Sequence, residues 1–115
     1  MSEPLSIFVR LKARPGQAEA LGLALQSIVE PTCAEPGSLD YVVHRSVDSP
    51  DTWLLYERWV SRADLDAHFE QPYMKTLLAR VPELVDGEVE MTFATMVTDR
   101  SGNHVRRQLG HENGR

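Results

Sequence analysis

The side chains best equipped for proton chemistry in this 115-residue chain fall in one run, Trp53 to Tyr73, reading WLLYERWVSRADLDAHFEQPY. Glu57 and Trp59 stand two apart near the end of what reads as a strand, and His68 follows on a short helix. Imidazole titrates near neutral pH, so His68 is the best candidate proton acceptor. Asp64, one helical turn earlier, is spaced to orient it or hold its charged form. The same pair is also what a satisfied structural histidine would show. Glu57 sits on an otherwise apolar face, where a carboxylate is costly unless paired. It either holds a substrate proton or bridges to Arg10, Arg58 or Arg80. Trp59 fits a core position or a flat wall for an aromatic ligand.

These groups share a pocket only if the elements around them bring them together. Residues 5 to 12 set Leu5, Ile7, Val9 and Leu11 against Ser6, Phe8, Arg10 and Lys12, the period of a strand. Pro15 suits a first helical turn, and Ala18, Leu21, Leu25 and Ile28 recur at helical spacing until Pro31, which predicts one helix of about 15 to 18 residues. Strands at 39 to 47 and 52 to 60 are joined by Asp48-Ser49-Pro50-Asp51, a cluster that favours reversal. Ser61 with Asp64 opens a short helix running to about Phe69. Pro72 starts another, carrying Met74, Leu77, Leu78 and Val81 inward until Pro82. A last strand, 88 to 98, alternates Val89, Met91, Phe93 against Glu88, Glu90, Thr92.

The order β-α-β-β-α-β fits an α+β ferredoxin-like sandwich, a four-stranded antiparallel sheet with both helices on one face, because right-handed crossovers put them on the same side. Val9, Tyr41, Leu55, Glu57 and Trp59 then look toward the helices, where His68, Phe69 and Tyr73 also stand. Apolar walls with a few convergent polar groups suit a small-molecule ligand. The sheet's other face carries Phe8, Val42, Leu54, Tyr56, Ala94 and Met96, too much contiguous apolar surface for a soluble monomer to leave wet, so a homodimer joined sheet to sheet is expected.

Composition narrows the partners. Residues 1 to 98 hold 8 Lys or Arg against 15 Asp or Glu, a balance of −7, and 99 to 115 hold 4 against 2, a balance of +2, which sum to −5. An acidic body repels phosphate backbones, so no nucleic acid is expected. No stretch approaches the roughly 20 apolar residues that span a bilayer, and the start lacks a secretory pattern; a cytoplasmic protein with no membrane partner is the expectation. Cys33 is the only cysteine, read as buried helix packing, and one thiol supports neither an internal disulfide nor a thiol-based zinc site. His44, His68, His104 and His111 lack ligand-like spacing, so no metal site is expected. No nucleotide loop, nucleophile elbow or flavin signature is present. Residues 1 to 98 form the expected domain, and 99 to 115 a polar tail or an arm over a partner.

Glu57-Arg58-Trp59, then Ala67-His68-Phe69 and Gln71-Pro72-Tyr73, resemble the E-x-W and A-x-H-x-x-x-P-H pattern of the antibiotic biosynthesis monooxygenase family. Arg14-Pro15-Gly16 and Pro36-Gly37-Ser38-Leu39-Asp40-Tyr41 agree with it, and the resemblance spans roughly residues 5 to 98. It implies a dimeric α/β barrel and a cofactor-independent monooxygenase acting on a quinol, anthrone or similar polycyclic phenol. In that scheme His68 removes a phenolic proton and the anion reduces dioxygen directly, while Trp59, Tyr73 and a nearby arginine hold the substrate. Glu57 completes the catalytic set, and Val9, Tyr41, Leu55 and Phe69 the binding walls. Tyr73 stands where family members often have a second histidine, so a two-histidine scheme does not carry over. Haem-degrading relatives use a strand asparagine and a late helical histidine, where this chain has Val9 and Leu78. Two other readings stay open: an isomerase or tautomerase of a small keto compound, using His68 and Glu57 without oxygen, and a non-catalytic dimeric binding module.

Overall fold

A computed structural model of the chain describes residues 4–98; the expected tail, 99 to 115, lies outside the described residues. The elements run β1 (Leu5–Lys12), α1 (Ala18–Ser27), α2 (Val29–Cys33), β2 (Ser38–Arg45), β3 (Thr52–Trp59), α3 (Arg62–Phe69), α4 (Pro72–Leu84) and β4 (Glu90–Ala94). The strands form one antiparallel sheet in the order β2-β3-β1-β4. This is the α+β ferredoxin-like arrangement. Among the described residues no helix is long and apolar enough to cross a membrane.

The alternation in β1 becomes a burial pattern: Ile7, Val9 and Leu11 are covered while Phe8, Arg10 and Lys12 are exposed. The covered row meets Leu21 and Leu25 of α1, Leu65 of α3, and Met74 and Leu77 of α4, all within one core. Register decides which residues share that face. Ile7 lies opposite Glu57 and Glu57 opposite Tyr41, so the two central strands and β2 set an acid and a phenol side by side on the helix side.

Four expectations change. The first helix is two segments, interrupted at Ile28, because Pro31 has no N–H and its ring would meet the carbonyl of Ser27, the residue four before it. Pro31 therefore falls in the opening turn of α2, where a proline is tolerated. The second is β4, which stops at Ala94 opposite Ser6, close to the start of β1, rather than running on to 98. The third is α4, which passes through Pro82 to Leu84, with Arg14 Nε donating to the Pro82 carbonyl at 2.8 Å, and which leaves Leu78, expected inward, exposed. The last is Cys33, which is exposed, not packed inside.

The sheet's second face is bare among the described residues. Phe8 is 51% exposed, Val42 43% and Leu54 37%, while Met96, expected on this face, lies past the end of β4. Tyr56 and Ala94 are half-buried, and the Phe8 and Tyr56 rings lie 5.2 Å apart.

Helix α1 approaches the sheet closely at Gly22, where an added Cβ would overlap the indole of Trp53. Trp53 is itself held by its Nε1 donating to the Ala18 carbonyl at 3.1 Å. Gly22→Ala gains about 1 kcal/mol of helix propensity yet must move this packed ring, at a cost of about 1–3 kcal/mol. Urea unfolding is expected to show a net loss of stability with an unchanged m-value.

Candidate active site

The site begins with the pleat of β3. Trp53, Leu55, Glu57 and Trp59 alternate with residues of the open face, and all four are buried. Because Glu57 and Trp59 are two apart, they lie on one face, and Trp59 Nε1 donates to Glu57 Oε1 at 2.9 Å. This indole is the partner of Glu57. The arginines considered for it are engaged elsewhere: Arg10 with Glu90 at 3.4 Å and Arg58 with Asp40 at 2.8 Å, on the opposite face, and Arg80 with Glu83 at 3.8 Å on α4.

Helix α3 brings His68 against this pair. Ser61 is in extended conformation and accepts the Asp64 amide at 3.2 Å while donating to Asp64 Oδ2 at 2.9 Å, a closed N-terminal cap. That cap consumes Asp64. The imidazole instead has Nδ1 2.7 Å from Glu35 Oε2, so the carboxylate expected four residues earlier on the helix is replaced by one from the loop after α2. A close approach explains how Glu35 arrives: a Cβ on Gly37 would overlap the Asp64 side chain, so the loop lies directly on α3. The Gly37 carbonyl also accepts the Val60 amide at 2.9 Å, tying the loop to the end of β3.

The ring of His68 is 1% exposed and packed among aromatics, with centroids 4.6 Å from Trp59, 5.5 Å from Phe69 and 6.3 Å from Tyr41. Its Nε2 is buried without a hydrogen-bond partner among the described residues. On the Nδ1 side the Tyr73 hydroxyl also donates to Glu35 Oε2 and lies 3.4 Å from Thr32 Oγ1. One carboxylate oxygen thus gathers an imidazole from α3 and a phenol from α4.

Beside this cluster, between sheet and helices, is a cavity of about 280 Å3. Val9, Leu55, Tyr41, Glu57 and Phe69 line it on the sheet and α3 side, and leucines, valines, methionines and Pro82 close the rest. His68, Trp59 and Tyr73 stand outside its lining: Trp59 is fully buried under the imidazole, and Tyr73 turns its hydroxyl to Glu35. Among the described residues no arginine lines it, so the expected guanidinium for a developing charge is missing from its wall. No group of three or more His, Cys, Asp or Glu is gathered for a metal ion among the described residues.

The chain's sequence from 4 to 80 matches the model of the antibiotic biosynthesis monooxygenase family. The chain belongs to that family. Within it, a protein of Mycobacterium tuberculosis named "Putative monooxygenase Rv0793" is 32% identical over 88% of this chain and 99% of its own. Its solved structure superposes with a TM-score of 0.80, covering 86% of this chain and all of that one. A crystal structure of PA3566 from Pseudomonas aeruginosa gives a TM-score of 0.81 at 28% identity, over 85% and 98% of the two chains. An uncharacterised Synechocystis protein is 28% identical over 77% of this chain, which spans 60% of that relative's length.

Burial sets the protonation of this family member's site. Glu57 is pushed above its ordinary range by loss of solvent, opposed in part by the Trp59 hydrogen bond and by His68. The Tyr41 phenol is raised by burial first and then by Glu57. Tyr73 is pushed up to about 12, by burial and by donating to Glu35. Both phenols therefore keep their protons near neutrality, and Tyr73 donates its own to Glu35.

Glu35 was beyond sequence reasoning, since it is 33 residues from His68 with no periodic relation to it. The only local signal is an acid directly before Pro36-Gly37.

The raised Glu57 carboxyl has a stability signature. It supports the folded state while protonated, below its ordinary value of 4.5, and that support is lost as pH rises through the higher folded value. Glu57→Gln keeps the acceptor for Trp59 and never ionises. Its melting temperature is expected to match the native chain near pH 4 and exceed it toward pH 8, by about 4–8 °C for each kcal/mol relieved.

Proposed function

We propose that this family member is a cofactor-independent monooxygenase of quinol- or anthrone-like aromatics, with His68 as the proton acceptor. The observation that carries the reading is the buried, unpartnered Nε2 of His68 beside an apolar cavity that has one carboxyl in its wall. Tyr41 and Phe69 belong both to the cavity wall and to the surroundings of the imidazole. A substrate hydroxyl that parts these two rings meets Nε2. Val9 and Leu55 form the flat floor under the substrate rings, and Glu57 accepts from or donates to a second oxygen on the ligand.

The walls support a coupled proton transfer. A phenolate in an apolar cavity without an arginine is stabilised mainly by the imidazolium that its own proton creates, so ionisation and transfer to His68 are coupled. The electron-rich anion passes electrons to dioxygen and forms a carbon–oxygen bond. Oxidation of a ring methylene to a carbonyl releases four electrons and two hydrogens, which reduce dioxygen to one carbonyl oxygen and one water. The substrate supplies every electron, and His68 returns its proton to the departing oxygen. Trp59 supports the imidazole face and carries the hydrogen bond to Glu57. Tyr73 supports the other side through Glu35.

We further propose that the chain works as a homodimer joined through its open sheet face. Phe8, Val42 and Leu54, all on that face and all exposed, support this. Light scattering is expected to give 26 kDa, twice the 13.0 kDa chain mass. Val42→Arg is expected to bring it to the single-chain value, because a buried unpaired charge at a joined face is strongly unfavourable.

Oxygen uptake with dihydroxynaphthalene and anthrone substrates tests the activity. His68→Ala is expected to lower kcat by about 10²–10⁴-fold, and an unchanged rate removes His68 from the mechanism. Equal turnover of a keto substrate under strictly anaerobic conditions would favour the isomerase reading instead, since Glu57 and His68 could then shuttle a proton without oxygen.

A further inference from the structure

His68 is useful as a base only if its proton sits on the nitrogen away from the substrate, and nothing on its own helix arranges this. Asp64 is closed into the Ser61 cap. Glu35 is left as the group that meets Nδ1, at 2.7 Å, from a different segment of the chain.

We propose that Glu35 is a positioning residue: its carboxylate selects the His68 tautomer with the proton on Nδ1, leaving Nε2 bare, and Tyr73 locks that carboxylate in place. The inference rests on the reading of His68 as proton acceptor. A carboxylate only accepts hydrogen bonds, so two neighbours directed at one of its oxygens are both satisfied only if both donate. Tyr73 Oη and His68 Nδ1 are both directed at Glu35 Oε2. Nδ1 must then carry the hydrogen, and a neutral ring has its lone pair at Nε2. That is the nitrogen found buried with no partner.

The support around the carboxylate is drawn from three helices. Thr32 on α2 is fully buried within reach of the Tyr73 hydroxyl. Tyr73 opens α4 behind Pro72, His68 stands on α3, and Glu35 itself lies in the loop between α2 and β2. The Glu35 side chain is 11% exposed, so water competes little for its oxygens. In this arrangement Tyr73 acts on the base through Glu35 and does not touch substrate, which changes the role that the sequence pattern suggested for it.

Nitrogen-15 NMR of the His68 ring, identified by its loss in His68→Gln and recorded on the high-pH side of its titration, reads the tautomer directly. The native chain is expected to show a protonated Nδ1 and a bare Nε2. In Glu35→Gln the side-chain amide can donate to Nδ1, so the Nε2–H form is expected to rise to half or more of the population. Tyr73→Phe is expected to shift the tautomer in the same direction by less. With an accepted substrate, kcat of Glu35→Gln is expected to fall about tenfold or more while KM stays within about twofold, the pattern of a lost transition-state interaction. Glu35→Asp should recover part of that loss.

A native ring protonated on Nε2, or a Glu35→Gln ring with the native tautomer, overturns the proposal. If Glu35→Gln fails to fold, the native spectrum and Tyr73→Phe decide the question. Absence of turnover by the native chain defeats the proposed oxidation alone, because the tautomer is read without substrate.

Discussion

The two-residue period of β3 is the constraint on which the site depends. Glu57 and Trp59 point the same way because they are two apart, and that way is inward because Ile7 and Tyr41 flank Glu57 in register. A slip of one residue would turn the acid and the indole to the open face and leave His68 stacked on nothing. Register is held by the apolar row itself, since Ile7, Val9, Leu11 and Leu55 can be covered in only one pairing.

Around that strand the chain buries an unusual set of groups for its size. Glu57, His68 and Thr32 are all covered. Leaving one buried polar atom unsatisfied costs about 1–3 kcal/mol; Glu57 Oε1, His68 Nδ1 and Thr32 Oγ1 each have a partner, while Nε2 of His68 has none among the described residues. The hydrogen bonding of this imidazole is thus gathered on its Nδ1 side, among the described residues. The apolar cavity beside it has the complementary property: it removes a ligand from water and gives it few polar groups to meet, so those few set its orientation.

The two faces of the sheet divide the labour. The helix side supplies the core, the cavity and the buried polar cluster, while the other side presents Phe8, Val42 and Leu54 to solvent with ion pairs at its margins. Membership in the antibiotic biosynthesis monooxygenase family accounts for the shared frame, with TM-scores of 0.80 and 0.81 against relatives only 31% and 28% identical. Such likeness lies in backbone and packing. The chemistry of this chain is set by the particular side chains on that frame, among them a tyrosine at position 73.

The sequence alone determined the element order, the inward row of β3 and the bare row opposite, because these follow from periods of 2 and 3.6 and from prolines acting on near neighbours. Even there Pro31 was read as a stop when it begins a new turn, since a proline breaks the helix before it and not the one it opens. The partners within the site came only with the tertiary structure. Asp64 is near His68 in sequence but is held by Ser61, and Glu57 is held by an indole and not by an arginine. Glu35 reaches His68 because Gly37 lets a loop rest on α3, a contact between segments that no local pattern encodes. Periodicity says which way a side chain faces; which hydrogen bond it makes depends on what the rest of the chain brings within 3 Å or so of it.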